Sequence, residues 1–159
     1  FLYGRDKWTK FACFSFLFGI WDIFYYIGLY LLIGWPDSLF AWDILFSIPV
    51  TWASPVIAPV AVSLLLILFS GFIFFLSERG YEIRTSLAER TTLLVGVILI
   101  FLSMTIDALR EPAYYLHVRE DNLAFNWLLF LAGILVSVSG TALIIAKGLR
   151  AVKGNNNER

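Results

Sequence analysis

The chain alternates long apolar runs with short polar or proline-rich breaks. The first run, Phe11 to Gly34, has the length a helix needs to cross a bilayer, about 20 predominantly apolar residues. Gly34-Trp35-Pro36 stops it, because a proline disfavours helix for the residue before it. Asp37 or Ser38 can cap a short helix over about 38–48, which Pro49 ends. That helix is too short to span. It is apolar nearly all round apart from Asp43, whereas an interfacial helix shows one clearly polar face. The pattern therefore predicts a piece tucked against the bundle, or re-entrant. A second span is predicted over about 55–77, opening at Ser54-Pro55 or Ala58-Pro59, where proline suits the first helical position. The charged stretch SERGYEIRTSLAER follows as a loop, then a third span over about 91–108. A polar connection carries the lone histidine, His117, and a fourth span runs over about 124–146. The polar tail GLRAVKGNNNER is expected to fray.

These elements predict an all-α fold in a single membrane domain covering 1–159. It is a bundle of four transmembrane helices, with a short broken or re-entrant helix between the first and second. Composition agrees: 60% of the 159 residues are hydrophobic and 15% charged, against about 45–50% and about 25% in soluble domains. So short a chain cannot bury that much apolar surface in its own core, so the remainder faces lipid or other proteins. Zero net charge gives no broad field for nucleic acid, and none is expected as a partner. Cys13 is the single cysteine, which excludes an internal disulfide or a multi-cysteine metal site, and it reads as a small buried hydrophobe. The first apolar run is too long for a signal-peptide core. The sequence starts at Phe1 rather than Met, which leaves room for an earlier helix.

Basic residues give an orientation. Arg5, Lys7, Lys10, Arg79, Arg84, Arg90, Lys147, Arg150, Lys153 and Arg159 fall on one side of a four-span topology; Arg110 and Arg119 fall on the other. The positive-inside rule then puts both termini in the cytoplasm. The far side is acidic, with Asp37, Asp43, Asp107, Glu111, Glu120 and Asp121.

The chemistry centres on carboxylates. Asp22 lies mid-way along the first apolar run, on one helical face with Ser15, Phe18, Gly19, Tyr25 and Tyr26. A carboxylate at that depth is costly and needs a reason. Three readings compete: a polar anchor bonded to Tyr25, Tyr26 or a neighbouring helix, a proton or ion site, or a ligand of a metal or cofactor. If the short helix folds back, Asp43 could approach Asp107, and two or three carboxylates would suit a hard divalent cation. Gly133, Ser137 and Gly140 form a small-residue stripe for close helix packing, with a weaker version at Ser63 and Ser70-Gly71. No span holds a histidine, so this chain offers no axial pair for haem and no histidine-bound copper. No cofactor is expected within it. Walker, GxGxxG, HExxH and GxSxG motifs are missing from the sequence.

The segment GIWDIFYY…GWPDSLFAWDILFSIPVTWASPVIAPV resembles a group of bacterial multi-pass inner-membrane proteins without an assigned function, and IDALREP…FNWLLFLAGI resembles that group's closing part. The resemblance implies a bacterial inner-membrane protein and carries over no activity and no functional residue. The function expected from the residues is a non-catalytic integral subunit or scaffold within a larger assembly of membrane protein subunits. The alternatives are a small ion- or proton-coupled transporter using Asp22, and a metal-dependent membrane enzyme built on Asp22, Asp43 and Asp107.

Overall fold

The computed structural model describes residues 7–81, 83, 85–110 and 124–157. Its order is helix α1 (Lys7–Ile33), strands β1 (Trp42–Phe46) and β2 (Trp52–Pro55), then helices α2 (Ile57–Glu78), α3 (Leu87–Arg110) and α4 (Trp127–Asn157). The all-α bundle holds, and all four helices are long and apolar enough to cross a membrane. The His117 connection lies outside the described residues.

The short helix predicted over about 38–48 is instead the first arm of an antiparallel hairpin. Trp42 pairs with Pro55, Asp43 with Ser54 and Ile44 with Ala53, and a bulge separates Ile44 from Phe46, which pairs with Trp52. The residues explain it. Trp42, Ile44, Phe46, Val50, Thr51 and Trp52 are aromatic or β-branched and fit a pleated surface better than a helix. Pro49 lies in the turn, and Pro55 closes β2 on an edge, where a missing N–H costs no ladder bond. Backbone bonds from Val56 N–H to Ala41 O and Ile57 N–H to Leu39 O fasten the hairpin to the start of α2. Because Pro55 belongs to β2, α2 opens at Ile57, and Pro59 falls in its first turn rather than at its first position.

The helices form two tight pairs: α1 packs along α2 and α3 along α4, with sparse contact between the pairs. Small residues make each crossing. The buried stripe of α1 is Thr9, Ala12, Ser15, Gly19, Asp22 and Tyr26. A Cβ at Gly19 would stand 2.7 Å from the Ser63 carbonyl oxygen. In the second pair, a Cβ at Gly133 would stand 2.8 Å from Ile100 N and 2.9 Å from Gly96 O. Gly140 packs against Leu93 and Thr92, and Ser137 sits beside Gly96.

One end of the bundle gathers the start of α1, the α2–α3 turn and the C-terminal part of α4. There Thr9 Oγ1 donates to Ser77 Oγ at 3.5 Å, and Lys147 Nζ lies 3.5 Å from Glu89 Oε1. The hairpin caps the opposite end. Aromatic rings cluster beside it, with Trp42 against Phe125 and Phe40 against Trp127, as interface-level aromatics do.

Helix ends also differ from the sequence expectation, and α1 opens at Lys7 rather than near 11. α3 opens at Leu87, inside the stretch read as a loop, because Ser86 and Glu89 form a capping box. Ser86 N–H donates to Glu89 Oε2 at 2.7 Å, and Glu89 N–H to Ser86 Oγ at 3.3 Å. Replacing Ser86 with Ala is expected to lower thermal stability in detergent by about 1 kcal/mol, readable as a fall in Tm. α4 runs on through the tail to Asn157. The polar residues there end the apolar span, but no proline ends the helix, and Ala146, Lys147, Leu149 and Arg150 are good helix formers.

Candidate functional site

Asp22 is the sixteenth residue of a 27-residue helix, so it stands ~22 Å along the axis from Lys7. Its side chain turns inward and leaves the residue 9% exposed. The expected donors on its own helix are not its partners. Ser63 Oγ, on α2, donates to Asp22 Oδ2 at 2.8 Å. The neighbouring hydroxyls behave differently: Ser70 donates to Leu66 O, Ser103 to Ile100 O and Thr105 to Phe101 O, each within its own helix. This back-bonding is the ordinary fate of a hydroxyl in an apolar helix. Ser63 instead spends its proton across the Gly19 crossing.

Tyr26, one turn beyond Asp22, is also buried, and its hydroxyl donates to Asp43 Oδ2 at 2.8 Å. Asp43 sits on β1, where the hairpin turns it back toward α1. The strand thus delivers a second carboxylate to the same place by a route that a helix over 38–48 would not provide. Tyr25 and Phe18 shared the predicted face with Asp22 but lie at its outer edge, 44% and 36% exposed.

Asp22 and Asp43 line one cavity of about 400 Å³ between α1, α2, α3 and the hairpin. Its walls are mainly aromatic and aliphatic: Phe18, Trp21, Tyr25 and Tyr26 from α1, Trp52 from β2, Phe101 and Met104 from α3. The Trp52 indole N–H is buried there without an acceptor among the described residues. Among the described residues no Lys, Arg or His lines the cavity. Asp107, on α3, is not part of its lining, so the three-carboxylate site is not formed. Among the described residues no group of three His, Cys, Asp or Glu stands close enough to hold a metal.

A second cavity, about 690 Å³, lies between the same two helix pairs toward the opposite end, with Lys7 and Arg90 among its lining residues and Ser137 and Thr141 on its α4 wall. Val62, Val97 and Ile100 line both cavities. The seam between the helix pairs is therefore hollow on either side of three aliphatic side chains.

Residue types alone did not single out Ser63 as the partner of Asp22; a depth count does so only once the helix ends are known. Asp22 lies 15 residues after Lys7, and Ser63 lies 15 residues before Glu78, so in an antiparallel pair they stand level. Trp52 and the Val62, Val97 and Ile100 constriction carry no such signal, since each is an ordinary apolar residue in an apolar segment. Compared with protein-family models, curated proteins and solved structures, the chain matches none.

Proposed function

We propose that the protein is a non-catalytic, multi-pass protein of the bacterial inner membrane, with both termini cytoplasmic, that works as a small proton-coupled transporter using Asp22. One observation carries the reading: a mid-span carboxylate opens into a cavity on the seam between two tightly packed helix pairs. Magnitudes favour this use over a purely structural anchor. An Asp at the centre of a spanning helix costs roughly 2.5–3.5 kcal/mol. Hydrogen bonds between membrane helices average only about 0.6 kcal/mol and reach about 1.7. The Ser63 bond alone does not offset the carboxylate, and Gly19 already brings α1 and α2 into contact without it. Tight pairs with sparse contact between them also suit rocking of one pair against the other, with a midplane site between them.

The test is ion movement in proteoliposomes loaded with a pH-sensitive dye. With valinomycin and potassium as the charge return, an imposed pH gradient is expected to collapse faster with the wild-type chain than with Asp22→Asn. Equal rates would refute the proposal. Orientation has its own check. A cysteine placed in the tail of a Cys13→Ser background is expected to resist an impermeant thiol reagent in intact cells and to react after lysis. Labelling from outside would reverse the topology.

A second reading, a subunit or scaffold in a larger assembly, is supported by α1. Among the described residues this helix packs closely along α2 and leaves Phe14, Leu17, Trp21 and Phe24 at least 58% exposed. Native mass spectrometry of gently solubilised protein addresses it: a spectrum at the mass of the chain alone would remove this reading.

A further inference from the structure

We propose that the Asp22 cavity binds a hydrophobic organic cation, an ammonium or phosphonium centre carrying apolar substituents. The inference rests on the reading above, that Asp22 serves a transported species, and it names the class of that species.

Charge comes first. Two carboxyl groups line the cavity, and the side chains bonded to them, Ser63 and Tyr26, are neutral hydroxyl donors. No basic side chain among the described residues of the lining pairs with these carboxyl groups, which leaves them open to a proton or a cation that enters. The walls then choose between kinds of cation. A hard metal ion takes six to eight oxygen ligands, or an octahedral shell with water. Here the side-chain oxygens are those of Asp22, Asp43, Ser63 and the two tyrosines, set in a surface otherwise of aromatic and aliphatic carbon. Aromatic faces attract soft, weakly hydrated cations, and quaternary ammonium recognition uses this chemistry. Phe18, Trp21, Tyr25, Tyr26, Phe46, Trp52 and Phe101 supply seven aromatic side chains around the two carboxylates.

Size and access agree. A volume of about 400 Å³ falls in the range of small-molecule sites and is far larger than a bare ion needs. Trp21, 58% exposed, and Tyr25, 44% exposed, stand on the outer rim of the cavity, so a hydrophobic cation dissolved in the bilayer reaches it sideways.

The experiment uses the whole chain in detergent and two probes of one shape and opposite charge, tetraphenylphosphonium and tetraphenylborate, titrated by calorimetry. Saturable binding of the phosphonium is expected, with none of the borate. Asp22→Asn is expected to weaken phosphonium binding by at least about tenfold, because it removes a buried charge partner. Trp21→Ala is expected to weaken it less. Size-exclusion profile and helical circular dichroism establish that each variant is folded. Should Asp22→Asn fail that check, Asp43→Asn takes its place with the same tenfold expectation. Equal binding of both probes, or unchanged phosphonium binding in the folded carboxylate variants, overturns the proposal. If the phosphonium fails to bind while Asp22-dependent proton flux persists, the ligand class is wrong and the Asp22 reading stands. If flux is also the same in Asp22→Asn, the reading beneath it falls too.

Discussion

Asp22→Asn is expected to leave the bundle folded and to reduce ion movement through it by at least about tenfold, whereas Asp22→Leu is expected to be equally inactive and no less stable. Asparagine keeps the shape of the side chain and can still accept from Ser63 Oγ, whose bond to Oδ2 is 2.8 Å. It removes only the ability to carry charge or a proton. Leucine removes the bond as well. That loss is worth about 0.6 kcal/mol on average and at most about 1.7, while taking a carboxyl out of the span returns roughly 2.5–3.5 kcal/mol. Ser63 is not stranded by the change, because a helical serine can donate to the carbonyl four residues back, as Ser70 does to Leu66. Stability and activity should therefore part company: Tm in detergent held or raised, proteoliposome flux lost. An anchor role requires the opposite pattern, with Asn near normal in function and Leu unstable. Measuring both substitutions for both properties separates the two.

The spans were legible because a bilayer imposes a length. A run such as Phe11 to Gly34 has few other fates, and the observed α1 keeps Asp22 near its middle. The hairpin was not legible from the same pattern. An apolar stretch of four to eight residues reads equally well as buried helix or buried strand, and Trp42–Phe46 is such a stretch. Pro49 and the β-branched residues after it held the deciding information. Mistaking the element displaced the chemistry: a helix offers Asp43 to Asp107, while the strand offers it to Tyr26. That Asp22 bonds to a neighbouring helix was among the expectations, but which residue there was not legible. Tyr25 and Tyr26 are near it in sequence, but the crossing at Gly19 brings Ser63, 41 positions away, within bonding distance. The start of α3 was obscured by composition, since a charged run hid a capping box that is itself made of polar residues.

Gly133→Ala is expected to destabilise the α3–α4 pair by about 1–3 kcal/mol, and Gly133→Leu by more, enough to separate the two helices. The reason is which atoms stand in the way. A Cβ at Gly133 would meet Ile100 N at 2.8 Å and Gly96 O at 2.9 Å, both main-chain atoms that no rotamer change can move. Gly140 faces the same helix at 3.1–3.2 Å, but there the neighbours are side-chain carbons of Leu93 and Thr92, which can shift. Gly140→Ala should therefore cost less than Gly133→Ala. Gly28 and Gly71 meet nothing within 4 Å and serve as controls: alanine there is expected to be neutral or stabilising, since glycine is the poorer helix former by about 1 kcal/mol. The order of effects across these four alanine variants, read as Tm in detergent, checks the geometry of the crossing. A Gly133→Ala variant as stable as Gly28→Ala would mean that α3 and α4 do not approach at this point. The consequence reaches the seam as well. Val97 and Ile100 separate the two cavities from the α3 side, and Ile100 is one of the residues Gly133 lets α4 touch. A milder Gly133→Ala variant that still folds should therefore alter ion flux as well as stability, whereas Gly28→Ala should alter neither.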